Sequence, residues 1–152
     1  NARQKRSCYE KVIDHFGEDL TGKTIAIWGL AFKPRTDDMR EAPSLVTIEG
    51  LVQAGAKVRA SDPVALETAA AEVTHIADKV SFFADCYESL DGADALVVCT
   101  EWNDYRNPDF DEIKKRLTTP LIVDGRNIYR PEKMERMGFL YYSIGRPSPT
   151  GA

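Results

Sequence analysis

Six short apolar runs recur along the chain, "TIAIWG", "KVRAS", "KVSFF", "ALVVCT", "LIVDG" and "FLYYSIG", and stretches with helical spacing separate them. Runs this short and this apolar suit strands that are covered on both faces, as in a parallel sheet. Parallel neighbours need long crossovers, and helices supply them. The pattern predicts an α/β fold: a Rossmann-like, doubly wound parallel sheet of about six strands in the order 3-2-1-4-5-6.

The intervening segments carry helix signals. Pro43 suits a first helical position, and "SLVTIEGLVQA" offers Leu45, Ile48, Leu51 and Val52 for burial before Gly55. "ALETAAAEV" reads as a helix and "CYESLDGAD" as a short helical crossover. Asp109 can cap a helix whose Phe110, Ile113 and Leu117 share one stripe. "PEKMERMG" starts at Pro131 and ends at Gly138. Ahead of the sheet, Cys8, Val12 and Phe16 lie at i, i+4 and i+8 beside Tyr9 and Ile13, and Gly17 stops this helix. It stands outside the strand-helix alternation. The expected organisation is the end of a linking helix at 1–18, the sheet domain at 19–147 and a frayed tail at 148–152. Asn1 rather than Met opens the chain, as expected of a piece cut from a longer protein.

Composition narrows the function classes. The 152 residues are 43% hydrophobic, enough for one core, and the net charge is −4. No basic run is present, so neither nucleic acid nor a membrane is an expected partner, and any anion site must be local. No apolar stretch approaches the roughly 20 residues of a membrane span. Cys8, Cys86 and Cys99 match no metal or redox spacing and read as structural thiols of a reducing cytoplasm. His15 and His75 have no ligand partners nearby in sequence, and no metal site is expected.

The unusual residues fall at the carboxyl ends of the strands, where open α/β sheets bind ligands. Strand 1 is followed by "GLAFKPRTDDMREAPS", with Lys33, Arg35, Arg40, Asp37, Asp38 and Glu41 in a connection longer than the usual two to six residues. It is not a dinucleotide fingerprint: Ala31 and Pro34 stand where glycines would be needed. Lys33 could supply a point charge to a phosphate, and Arg126 of "DGRN" a bidentate fork. Equally, both could be solvated or paired with Asp37, Asp38 or Asp124. Asp62 either reads a ribose hydroxyl or caps a turn. Trp102 and Tyr105 either stack on a base or pack in the core. No Ser/His/Asp or Cys/His arrangement is evident, and Cys99 reads as a mid-strand residue, a poor place for a nucleophile.

Taken together, "GLAFKPRTDDMREAPS", "SDP", "CTEW", "DGRN" and "YYSIGRP" resemble the C-terminal domain of the UDP-glucose 6-dehydrogenase family. The likeness runs from residue 1 to 147, and "NARQK" resembles the end of the family's central helix. It implies an NAD-dependent enzyme that oxidises UDP-glucose to UDP-glucuronate, reducing two NAD. The NAD would be bound mainly by an N-terminal domain of the same chain, and the whole would be a cytoplasmic homo-oligomer. It implies UDP-glucose or UDP as the ligand here, with Phe32, Lys33 and Arg126 at substrate-binding positions. Arg40 matches an arginine that reaches across to NAD. No catalytic residue is carried over, since none of the three cysteines matches the family's catalytic motif, and the fragment alone is expected to be inactive. The same domain of a UDP-N-acetylhexosamine or GDP-mannose dehydrogenase, or a stand-alone nucleotide-binding module, is the alternative.

Overall fold

The computed structural model describes residues 7–31 and 42–144. The strands are β1 (Thr24–Trp28), β2 (Lys57–Ser61), β3 (Val80–Phe83), β4 (Ala95–Val98), β5 (Leu121–Asp124) and β6 (Leu140–Ser143). They form one sheet in the order β3-β2-β1-β4-β5-β6, with every neighbouring pair parallel. This is the order expected from the sequence. Among the described residues the helices are α1 (Ser7–Phe16), α2 (Pro43–Gln53), α3 (Leu66–Glu72), α4 (Asn103–Arg106), α5 (Phe110–Arg116) and α6 (Pro131–Arg136). Two 3-10 segments, Thr74–Lys79 and Glu88–Leu90, complete the crossovers.

One register row crosses the whole sheet as Phe82, Ala60, Ile27, Val97, Val123 and Tyr142. These side chains belong to the core on one face, with Cys8 and Val12 of α1, Ile48 and Leu51 of α2 and Ala69 of α3. The alternate positions Ala26, Trp28, Leu96, Val98, Ile122 and Tyr141 belong to the core on the other face, with Phe110 and Ile113 of α5 and Met134 of α6. The two-residue period of strands produces this division, and the double cover explains why the strands read as unbroken apolar runs.

The position of α1 follows from the winding. Crossovers after β1 and β2 cover the first face, and those after β4 and β5 cover the second. That leaves the first face of β4, β5 and β6 bare. α1 covers it, packing on β5 and against α2. The helix pair is close, since a Cβ on Gly50 would lie 2.8 Å from the Tyr9 ring. Farther along α1, His15 Nδ1 lies 3.0 Å from the Tyr142 hydroxyl.

Two local expectations are corrected. In α2 the fully buried positions include Ser44 and Thr47, whereas Leu45 and Val52 are half-buried. The helix starts against the strand ends, where Ser44 Oγ donates to the Leu30 carbonyl at 2.5 Å. The helix expected over "ALETAAAEV" forms as Leu66–Glu72 and is followed by a 3-10 segment kinked at Ile76. Strand β4 ends at Val98, so Cys99 lies at the carboxyl edge of the sheet and not in mid-strand.

Candidate functional site at the carboxyl edge

The root of the long charged loop is fixed from three sides. Gly29 has φ 93°, and a Cβ there would lie 2.6 Å from Thr100 Cβ, so both conformation and space require glycine. Thr100 Oγ1 donates to the Ala31 carbonyl at 2.7 Å. Asp62, only 2% exposed, accepts four backbone N–H bonds. Leu30 (2.7 Å) and Ala31 (3.3 Å) share Oδ2, while Val64 and Ala65 (both 2.8 Å) share Oδ1. A carboxylate has about four acceptor positions. All are taken, so Asp62 caps a turn and ties it to the loop root, and has no capacity left for a ribose hydroxyl. The loop leaves the described structure at Ala31 and returns at Ala42; both are buried, and the Ser44–Leu30 bond closes its base.

The "DGRN" turn after β5 is built in the same way. Asp124 is fully buried and accepts from Arg126 N (3.0 Å), Ile128 N (2.8 Å), Tyr129 N (3.0 Å) and the Tyr141 hydroxyl (2.6 Å). Gly125 donates to the Val98 carbonyl at 2.8 Å, and a Cβ on it would lie 2.6 Å from Cys8 Sγ. Asn127 takes the left-handed conformation, φ 56°, which Asn tolerates better than most residues. Its side chain exchanges two bonds with the Ile144 backbone, at 2.9 and 3.0 Å. Between these anchors Arg126 projects from the edge, its side chain 34% exposed. Arg126 Nε donates to the Glu101 carboxylate, so Arg126 pairs with Glu101 and not with Asp124.

The other candidates resolve as follows. Tyr105 is buried and stacked on Trp28 with ring centroids 5.0 Å apart, and its hydroxyl bonds the Ser61 carbonyl at 3.4 Å. Burial pushes its phenol far above the ordinary range. It is a core residue, not a base-stacking platform. Trp102 is half-buried against the same core, and its buried indole N–H has no hydrogen-bond partner among the described residues. A hydrogen bond with Cys8, followed by burial, pushes the Cys99 thiol well up. Burial pushes Cys86 to about 11. Neither is poised as a thiolate.

Of the residues expected to touch a ligand, Arg126 stands at the carboxyl edge of β5, with β4 between it and β1. Phe32, Lys33 and Arg40 lie outside the described residues, as do Asp37, Asp38 and Glu41. Sequence reasoning gave Glu101 no role, although its place in "CTEW" put it on the right edge. A separate concavity of about 200 Å³ is lined by Arg106, Phe110, Tyr129, Arg130 and Lys133, among others, and Arg126 and Asp62 take no part in it. Among the described residues no cluster of three His, Cys, Asp or Glu side chains could hold a metal, and no helix is long and apolar enough to cross a membrane.

Residues 26–131 match the family described as UDP-glucose/GDP-mannose dehydrogenase family, UDP binding domain. A UDP-glucose 6-dehydrogenase of Pseudomonas aeruginosa is 48% identical over 149 residues, covering 97% of this chain and 33% of that protein. One from Rhizobium meliloti is 45% identical over 147 residues, with the same coverage. Among solved structures, a UDP-glucose dehydrogenase from the hyperthermophilic archaeon Pyrobaculum islandicum superposes with a TM-score of 0.75 at 30% identity. It covers 93% of this chain and 29% of the other. The chain thus spans about a third of the length of these relatives. With more than half of its length inside the matched region, the chain belongs to the UDP-glucose/GDP-mannose dehydrogenase family and carries that family's UDP binding domain.

Proposed function

We propose that this chain is the nucleotide-sugar-binding C-terminal domain of an NAD-dependent UDP-glucose 6-dehydrogenase, binding the UDP moiety of UDP-glucose at the carboxyl edge of its sheet. The observation that carries the proposal is Arg126. It is a guanidinium held on a fixed turn at the sheet edge, with one strand, β4, between it and the root of the loop that bears Phe32 and Lys33. Lys33 and Arg126 neutralise the diphosphate, and Phe32 contacts the nucleotide sugar. Arg40 reaches towards NAD held by another domain of the same protein. The domain's contribution to the reaction is affinity and orientation of the substrate. α1 is the end of the helix that joins the two domains, the sheet domain runs over residues 19–147, and the whole protein is a cytoplasmic homo-oligomer. Its thiols at Cys8, Cys86 and Cys99 are unpaired, in keeping with a reducing compartment.

The residues present do not suit NAD in the usual dinucleotide mode. Ala31 and Pro34 replace the glycines that let backbone approach a pyrophosphate, and the four acceptor positions of Asp62 are filled by backbone. NAD reduction and the covalent steps are therefore assigned to the rest of the protein.

Separate calorimetric titrations of UDP, GDP and NAD into the chain test the proposal. The expected order is UDP first, GDP weaker, and NAD without measurable binding. Tighter binding of NAD than of UDP would overturn it. GDP ahead of UDP would point to the GDP-mannose branch.

A further inference from the structure

We propose that Glu101 is a positioning residue for Arg126, holding the Nε edge of its guanidinium so that the two Nη groups are presented to a diphosphate. This rests on the assignment of Arg126 to the UDP site. The backbone of Arg126 is fixed by Asp124, Gly125 and Asn127, but its side chain still has four rotatable bonds. Some contact must stop it from sweeping through solvent. Glu101 provides that contact through Nε. Among the described residues the guanidinium bonds Glu101 alone, through one of its five N–H donors, and the other four are not engaged by them.

Glu101 is suited to the task. Its side chain is 24% exposed, less than that of Arg126. It follows Thr100, which is fully buried and bonded to the Ala31 carbonyl at 2.7 Å. Glu101 therefore ties the β5 turn to the segment after β4 that also braces the root of the charged loop. Because a guanidinium is planar, fixing Nε sets the plane in which both Nη groups lie. A carboxylate near a diphosphate also repels it, so Glu101 has two opposing effects. It organises the fork, and it lowers the local positive charge.

Two substitutions separate these effects. Glu101→Gln removes the charge and keeps an oxygen that accepts from Nε. Glu101→Ala removes both. The decisive comparison is Ala against Gln, which carry the same charge. UDP and inorganic pyrophosphate are titrated into the wild-type chain, both variants and Arg126→Ala, and the Arg126 Nε–H signal is followed by NMR without ligand. Glu101→Gln should bind UDP as tightly as wild type or up to about threefold tighter, and Glu101→Ala about fivefold more weakly than Glu101→Gln. The Nε–H signal should exchange slowly in wild type and in the Gln variant and be lost in the Ala variant. Equal affinity of the Ala and Gln variants for both ligands, or an Ala variant that binds more tightly, would overturn the positioning role. If UDP binds no better than pyrophosphate but the Ala–Gln ranking holds for pyrophosphate, the uridine assignment falls and the role of Glu101 stands. If Arg126→Ala leaves pyrophosphate binding unchanged, or if neither ligand binds the wild type, the role of Glu101 falls.

Discussion

Asp62 Oδ2, at the end of β2, accepts the N–H of Leu30 at 2.7 Å, and so a residue 32 positions away sets where the loop after β1 departs. The same carboxylate, itself buried, holds three further N–H groups. Asp62→Asn keeps the shape but replaces one oxygen with an NH2, which faces backbone donors instead of accepting from them. Two buried N–H groups then lose their acceptor. The expected cost is about 2–4 kcal/mol of stability. Urea denaturation should show a lower midpoint at unchanged slope. A midpoint equal to wild type would mean that the four bonds are not formed in solution.

Gly125 is required for space. Its missing Cβ would meet Cys8 Sγ at 2.6 Å and the Val98 carbonyl at 2.9 Å. Gly125→Ala should cost about 1–3 kcal/mol through overpacking. Adding Cys8→Ala removes the sulfur but not the carbonyl, so rescue should be partial. A double-mutant cycle should give a favourable coupling of at least about 0.5 kcal/mol. Strict additivity would show that α1 does not press on the "DGRN" turn.

The contact between α1 and β6 is expected to weaken in acid. Burial pushes the His15 imidazole below its ordinary value. The unfolded chain, at about 6.5, then takes up a proton before the folded chain does. The stability that His15 contributes is complete above that pH and is lost as pH falls through it towards the folded value. The melting temperature should drop between about pH 7.5 and 5.5, and His15→Gln should flatten part of that drop. An identical pH profile in the variant would remove His15 as the cause.

The sheet was legible in the sequence because each strand is covered on both faces, so six apolar runs between helical stretches leave little choice of fold. The helix at Cys8–Phe16 was equally clear, but its docking place was not. That depends on which sheet face the winding leaves bare, and no local pattern states this. Asp62 stayed ambiguous for the same reason. An Asp before Pro63 can cap a turn or read a ribose, and the choice is made by Leu30 and Ala31, distant in sequence. Tyr105 looked available for stacking until Trp28 came to lie against it. Glu101 acquires a role because β5 pairs with β4, which brings it next to a residue 25 positions away.

The proposed clamp makes the sharpest functional prediction. β4 separates β1 from β5, and strands are spaced by about 4.8 Å, so the ends that lead to Lys33 and Arg126 are roughly 10 Å apart. Two long basic side chains can converge on one diphosphate across that distance. A charge-assisted hydrogen bond contributes about 1.5–3 kcal/mol when sheltered, and exposure and salt reduce it. Lys33→Ala and Arg126→Ala should each weaken UDP binding by roughly tenfold, equivalent to about 1.4 kcal/mol. Uridine should bind worse than UDP, and the affinity for UDP should fall with added salt. Arg40→Ala should change UDP binding little, because its proposed ligand is NAD on another domain. Calorimetry on the three variants at low and high salt separates the possibilities. If Arg40→Ala weakens UDP most while Lys33→Ala and Arg126→Ala bind as wild type, the diphosphate does not lie between β1 and β5, and the anion site must be sought elsewhere on the edge.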